Sequence, residues 1–176
     1  MKKSCLFLGI SFVAALFACS CRNAGVEVPE VLKNDTIIET YNFAVSDTFD
    51  NGAVRRVRFF EKEDSGNIAY EKRFYKSGNI CMEGPLDADS LRDGRWKAWY
   101  ETGELWSVGD YKHGLRHGEN KVYYPNGQVE FNKNYVKDTA EGIWTVYQED
   151  GREIFKVIYE KGVVIEQIGA ESVDSL

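Results

Sequence analysis

The sequence predicts an all-β protein, a single elongated antiparallel meander of about five tandem β-hairpins of ~24 residues each. Three observations carry that expectation. A spaced signature, Gly94, Trp99, Tyr100 and Gly103, returns twenty-four positions on as Gly118, Tyr123, Tyr124 and Gly127. It returns again as Gly142, Tyr147, Gln148 and Gly151, while Trp96 recurs as Trp144. Turn-forming pairs at Asn51-Gly52, Ser77-Gly78, Thr102-Gly103, Asn126-Gly127 and Asp150-Gly151 separate aromatic and β-branched runs. Glycine in such a turn accepts the positive φ that the reversal needs. Finally, no apolar stripe at three- and four-residue spacing runs past residue 45.

The elements follow in chain order. Met1-Lys2-Lys3 is a short basic start, and residues 5–18 form an apolar run too short to span a bilayer but as long as a signal-peptide core. Leu16-Phe17-Ala18-Cys19 is similar to a bacterial lipobox. That similarity implies removal of residues 1–18 and a diacylglyceryl group on Cys19; a poorer reading anchors the chain at Cys21. Residues 19–35 are polar and broken by Gly25 and Pro29, and are read as a flexible tether. The β-like run from Thr36 to Phe43 is expected to form a strand over the first sheet edge, and Val163-Val164-Ile165 a strand over the last. The repeat domain is placed at 36–168, followed by a frayed acidic tail, 169–176. Each hairpin should turn through three residues, with glycine in the left-handed region and a small bulge. Because a single sheet lacks a second layer, the Phe, Trp and Tyr that make up 14% of the chain are expected to bury one another.

Gly94-Arg95-Trp96 through Gly103 with Tyr111, Gly118 through Gly127 with Tyr135, and Gly142-Ile143-Trp144 through Gly151 with Tyr159 resemble the MORN repeat in its shorter bacterial variant. The resemblance spans roughly residues 49–162, and the first two units lack the Gly-x-Trp entry. It implies an open meander of hairpins and brings no common catalytic residues. Bacterial proteins of this kind often carry an antitoxin label.

Composition excludes some partners. The formal charge is −6, and loss of Lys2 and Lys3 with the leader leaves about −8. Nucleic-acid binding requires a basic footprint, which an acidic chain lacks. Arg55-Arg56-Val57-Arg58 alternates beside Glu61, Glu63 and Asp64 and reads as a solvated strand face. Net negative charge also argues against the array lying on an anionic bilayer, so membrane contact is assigned to the N-terminal lipid alone. By analogy with enterobacterial sorting, Ser20 after Cys19 favours the outer over the inner membrane. Of the four cysteines, Cys21 and Cys81 remain after processing; a disulfide between them has nothing in the sequence to place them close, and Cys81 is read as a small buried residue.

Few patterns suggest chemistry. His113 and His117 sit four apart, a zinc spacing on a helix, but Gly114 and Gly118 make the segment a solvated link. Asp87-Ala88-Asp89-Ser90-Leu91-Arg92-Asp93 is faintly like a calcium loop but lacks the glycine and the fifth-position ligand, and reads as a surface loop. No nucleophile elbow or phosphate-cradling loop is present. Catalytic residues, metal and cofactor are therefore all expected to be absent, with a carboxylate-pair enzyme as the third-ranked reading. The leading expectation is a non-enzymatic lipid-anchored scaffold that binds a protein or carbohydrate partner through Trp96, Trp99, Tyr100, Trp106, Tyr123, Tyr124, Trp144 and Tyr147 on one strand face. The alternative is an immunity-type protein neutralising an envelope-acting toxin.

Overall fold

The computed structural model of the protein describes residues 27–63 and 66–169. The leader, Cys19 and Cys21 lie outside the described residues, as does the tail from residue 170. The strands are β1 (Asn42–Thr48), β2 (Val54–Phe60), β3 (Ile68–Phe74), β4 (Ile80–Pro85), β5 (Gly94–Trp99), β6 (Leu105–Lys112), β7 (Leu115–Tyr123), β8 (Val129–Val136), β9 (Thr139–Ala140), β10 (Gly142–Tyr147), β11 (Glu153–Glu160) and β12 (Val163–Ile168). They form one open antiparallel sheet in chain order, with the two-residue β9 set off the path against β8. This is the predicted meander of five hairpins, with β12 as a further edge strand.

The turns explain the glycine period. In all five hairpins the glycine N–H donates to the carbonyl three residues back at 2.9–3.0 Å, and a second bond closes the loop, as from Tyr100 N to Glu104 O. The glycine is left-handed, with φ of 107° at Gly103, as a three-residue turn with a bulge requires. Each return strand then carries one extra residue at the same place: Arg55, Cys81, Trp106, Glu130 and Ile154. Such bulges increase local twist. The links between the later hairpins are also tight: His113-Gly114, Lys137-Asp138 and Lys161-Gly162 are two-residue turns with both φ values positive.

Two expectations are corrected. The run from Thr36 to Phe43 is not one strand. Ile37–Thr40 form a short helical turn, α1, whose first N–H donates to the Asp35 side chain at 3.2 Å, and β1 begins only at Asn42. Nor does the tether reach residue 35. Pro29 leads into a 3-10 turn at Glu30–Leu32, and Leu32 is fully buried with Phe43, Val57, Phe59 and Phe74. Val28, Val31, Ile37, Ile38 and Tyr41 pack on the same cluster. The physical reason is burial: these scattered apolar side chains cover a sheet face that would otherwise stay wet.

The apolar side of the sheet changes face along the array. One row of paired residues crosses it as Val45, Val57, Lys72, Glu83, Lys97, Val108, Lys121, Asn132, Thr145 and Lys156. This back face begins apolar, beneath the N-terminal segment, and turns polar. A row on the opposite, front face runs Asp47, Arg56, Arg73, Met82, Ala98, Ser107, Val122, Phe131, Val146 and Phe155. It begins ionic and turns apolar. The changeover falls at β4 and β5.

Candidate partner-binding surface

The array is locked at its turn end by a ladder of phenols. The Tyr75 hydroxyl donates to Trp99 O, Tyr100 to Tyr123 O and Tyr124 to Tyr147 O, all at 2.8–2.9 Å. Burial raises the pKa of each of these three phenols. The Asn79 and Asn126 side-chain amides donate hydrogen bonds to the carbonyls of Glu101 and Glu149, each 2.8 Å long. The recurrent Tyr100 and Tyr124 slot is therefore a fastener between neighbouring hairpins, and Gln148 fills it in the fifth.

The eight candidate rings are divided between the faces, as strand alternation at Trp96 and Trp99 requires. Strand alternation places Trp96 and Trp144 on the front, and Trp99, Tyr123 and Tyr147 on the back. Tyr100 and Tyr124 belong to the ladder, and Trp106 stands in a bulge, 44% exposed and beside Tyr100. Trp96 is 4% exposed: its ring covers Gly84, where a Cβ would come within 2.4 Å of it, and its indole N–H donates to Pro85 O. It is a structural residue. Trp144 is half-buried, donates to Asn134 O at 2.9 Å, and packs between Tyr135 and Tyr159 with ring centroids 5.0 and 4.6 Å away.

Sequence reading missed the cations that sit on these front-face rings. Arg92 lies 4.3 Å from the Trp96 ring and 5.3 Å from Tyr111, Arg116 4.0 Å from Tyr135, and Lys133 4.2 Å from Phe131 and 5.3 Å from Trp144. Cations at these distances are held by the ring quadrupole. Their sequence separations carry no signal, because bulges and the inserted loop 86–93 set which of them meet. Burial, and then the neighbouring Arg116, push the Lys133 ammonium pKa down. At the other end of the same face Glu71, only 3% exposed, is shared by Arg56, Arg58 and Arg73. The run from Arg55 to Arg58 is thus partly an ion network: Arg55 and Arg56 also meet Asp47.

The loop read as a faint calcium motif is tied by its own first carboxylate. Asp87 accepts the N–H groups of Asp89 and Leu91, and its other oxygen meets His113 Nδ1 at 2.7 Å. The Leu91 N–H, followed by His113, holds the Asp87 carboxyl below its ordinary pKa. Asp87, Asp89 and His113 are the three-residue grouping among the described residues that could hold a metal. The two ring nitrogens face different carboxylates, Asp89 lying 3.8 Å from Nε2. The imidazole thus bridges two acids. Cys81 lies half-buried in its bulge and forms no disulfide among the described residues. A groove of about 430 Å³ runs between the N-terminal segment and the second hairpin; its Lys72 is spoken for by Asp35 and by Glu83 at 2.9 Å.

An open sheet of hairpins tied turn to turn defines a repeat scaffold. The chain carries MORN repeats: residues 92–113 and 116–137 match the family model of the MORN repeat variant, and they coincide with the third and fourth hairpins. Repeats of this kind are generally protein- or membrane-binding scaffolds. No curated protein matches the chain.

Proposed function

We propose that the protein is a non-enzymatic, lipid-anchored scaffold that binds a protein or carbohydrate partner on the front face of its third to fifth hairpins. One observation carries this reading. Phe131, Trp144, Val146, Phe155 and Tyr159 are half-buried on that face, and no described segment lies over them. Half-exposed rings held by their neighbours gain contact area at small conformational cost when a partner docks. Trp144 is the residue retained from the sequence-based set; Trp96, being buried, supports the surface from below. The test is capture from crosslinked envelope extract, read by mass spectrometry. Trp144→Ala is expected to lose the partner and Trp106→Ala, in its bulge, to keep it. Undiminished capture by Trp144→Ala would sink the assignment.

The anchor rests on the lipobox at Leu16–Cys19. An acyl chain contributes roughly 0.8 kcal/mol per buried methylene, so the lipid can hold an acidic domain at a surface its charge does not favour. Cys19→Ser is expected to move the protein from the membrane fraction to the soluble one. An unchanged distribution would show that the chain is held otherwise.

A further inference from the structure

The front face is charged differently from the chain as a whole. In a protein of formal charge −6, its strands and the adjoining loop place Arg56, Arg58, Arg73, Arg92, Arg116 and Lys133 on this side against Asp47 and Glu71. The arginines of the first two hairpins are occupied by Glu71, and Arg116 pairs with Asp138 at 2.7 Å. Arg92 and Lys133 differ. Neither has a carboxylate at ion-pair distance among the described residues; each rests on two rings instead. Lys133 is also the cross-strand partner of Asn120, whose amide nitrogen is buried without an acceptor. Asn120 occupies the slot that Trp96 and Trp144 fill one repeat before and after, so the row of indoles has a polar gap there.

We infer that this face takes a carboxylate-bearing glycan, with Arg92 and Lys133 receiving its acid groups and the half-exposed rings of Trp144, Phe155 and Tyr159 its sugar faces. The inference rests on the binding reading above and names the ligand class. Charge complementarity argues for an anion, because Arg92, bonded only to the neutral Tyr111 hydroxyl and Met82 sulfur, and Lys133 have no carboxylate partner among the described residues. The pattern argues for a sugar polymer over a bilayer or a duplex. Those present dense, uniform charge and call for a continuous basic surface, whereas here isolated cations alternate with rings. The sheet advances two strands, roughly 10 Å, per hairpin, and a chain of repeating acidic sugars can follow that pitch.

The test is titration of the full-length protein with oligogalacturonate, neutral maltooligosaccharide, a polyglutamate peptide and phosphatidylglycerol vesicles. Oligogalacturonate is expected to bind at least tenfold more tightly than the other three, and more weakly as salt rises. Lys133→Gln and Arg92→Gln should each weaken it about tenfold, the loss of one charge-assisted hydrogen bond. Lys97→Gln, on the exposed back face, should leave it unchanged. If Lys133→Gln melts early, Lys133→Met keeps the stem over Phe131 and removes only the charge. Equal binding of the neutral sugar, or equal loss in Lys97→Gln, overturns the inference. Polyglutamate or vesicles binding as tightly as oligogalacturonate overturns the glycan assignment. If Trp144→Ala retains its envelope partner while Lys133→Gln loses oligogalacturonate, the scaffold reading fails and the acid-sugar site stands; the opposite pair of results does the reverse.

Discussion

Phe59→Ala is expected to destabilise the first two hairpins by about 3–5 kcal/mol and leave the last three folded. Phe59 is fully buried, pairs across the sheet with Phe43, and meets Tyr70 edge-on with centroids 6.2 Å apart. Fully buried with it are Leu32 and Val57. Removing the ring leaves a cavity at the point where the N-terminal segment, β1, β2 and β3 meet. In a stack of units each touching only its neighbours, damage at one end need not spread. Hydrogen exchange should therefore show lost protection in β1–β4 with β7, β8, β10 and β11 largely retained. Uniform loss along the whole sheet would mean that the array folds as one cooperative unit.

Glu71→Gln is expected to cost about 3 kcal/mol, far more than its neighbours' surface ion pairs. The carboxylate is 3% exposed and receives Arg73 Nε at 2.7 Å, Arg58 Nε at 3.4 Å and, more distantly, Arg56 at 3.9 Å. Arg56 and Arg73 are themselves directly opposed across β2 and β3. Without the negative charge between them, three guanidinium groups face one another on a strand pair, and like charges directly opposite are unfavourable. Arg73→Gln, by contrast, removes a guanidinium whose side chain is 42% exposed and should cost under about 1 kcal/mol. Denaturant melts at low and high salt check both: added salt should recover part of the Glu71→Gln loss by screening the repulsion. A Glu71→Gln protein as stable as the parent at low salt would show that the carboxylate is not what holds the three arginines together.

The hairpins were legible because their cause is local. Asn126-Gly127 makes a turn wherever it lies between β-branched runs, and a twenty-four-residue echo of it leaves little choice but a meander. The face on which each ring of a return strand lies was not legible. A single extra residue in every return strand, Trp106 or Glu130 for example, resets the alternation, and nothing in the sequence marks it. Val28, Val31 and Leu32 gave no signal of burial either, since three apolar residues in a polar stretch become a core only when a sheet face arrives to meet them.

Residue order alone therefore determined the all-β class, the five turns, the twenty-four-residue unit and the likeness to MORN repeats, because turn chemistry and strand propensity act over a few neighbouring residues. Tertiary structure decided the rest: that the N-terminal segment closes the first core, that Tyr100 and Tyr124 fasten hairpins rather than await a ligand, and that Arg92 and Lys133 stand on rings without acids. Most of those outcomes depend on contacts between residues about ten to forty positions apart, whose geometry is set by bulges, twist and burial competing across the whole sheet.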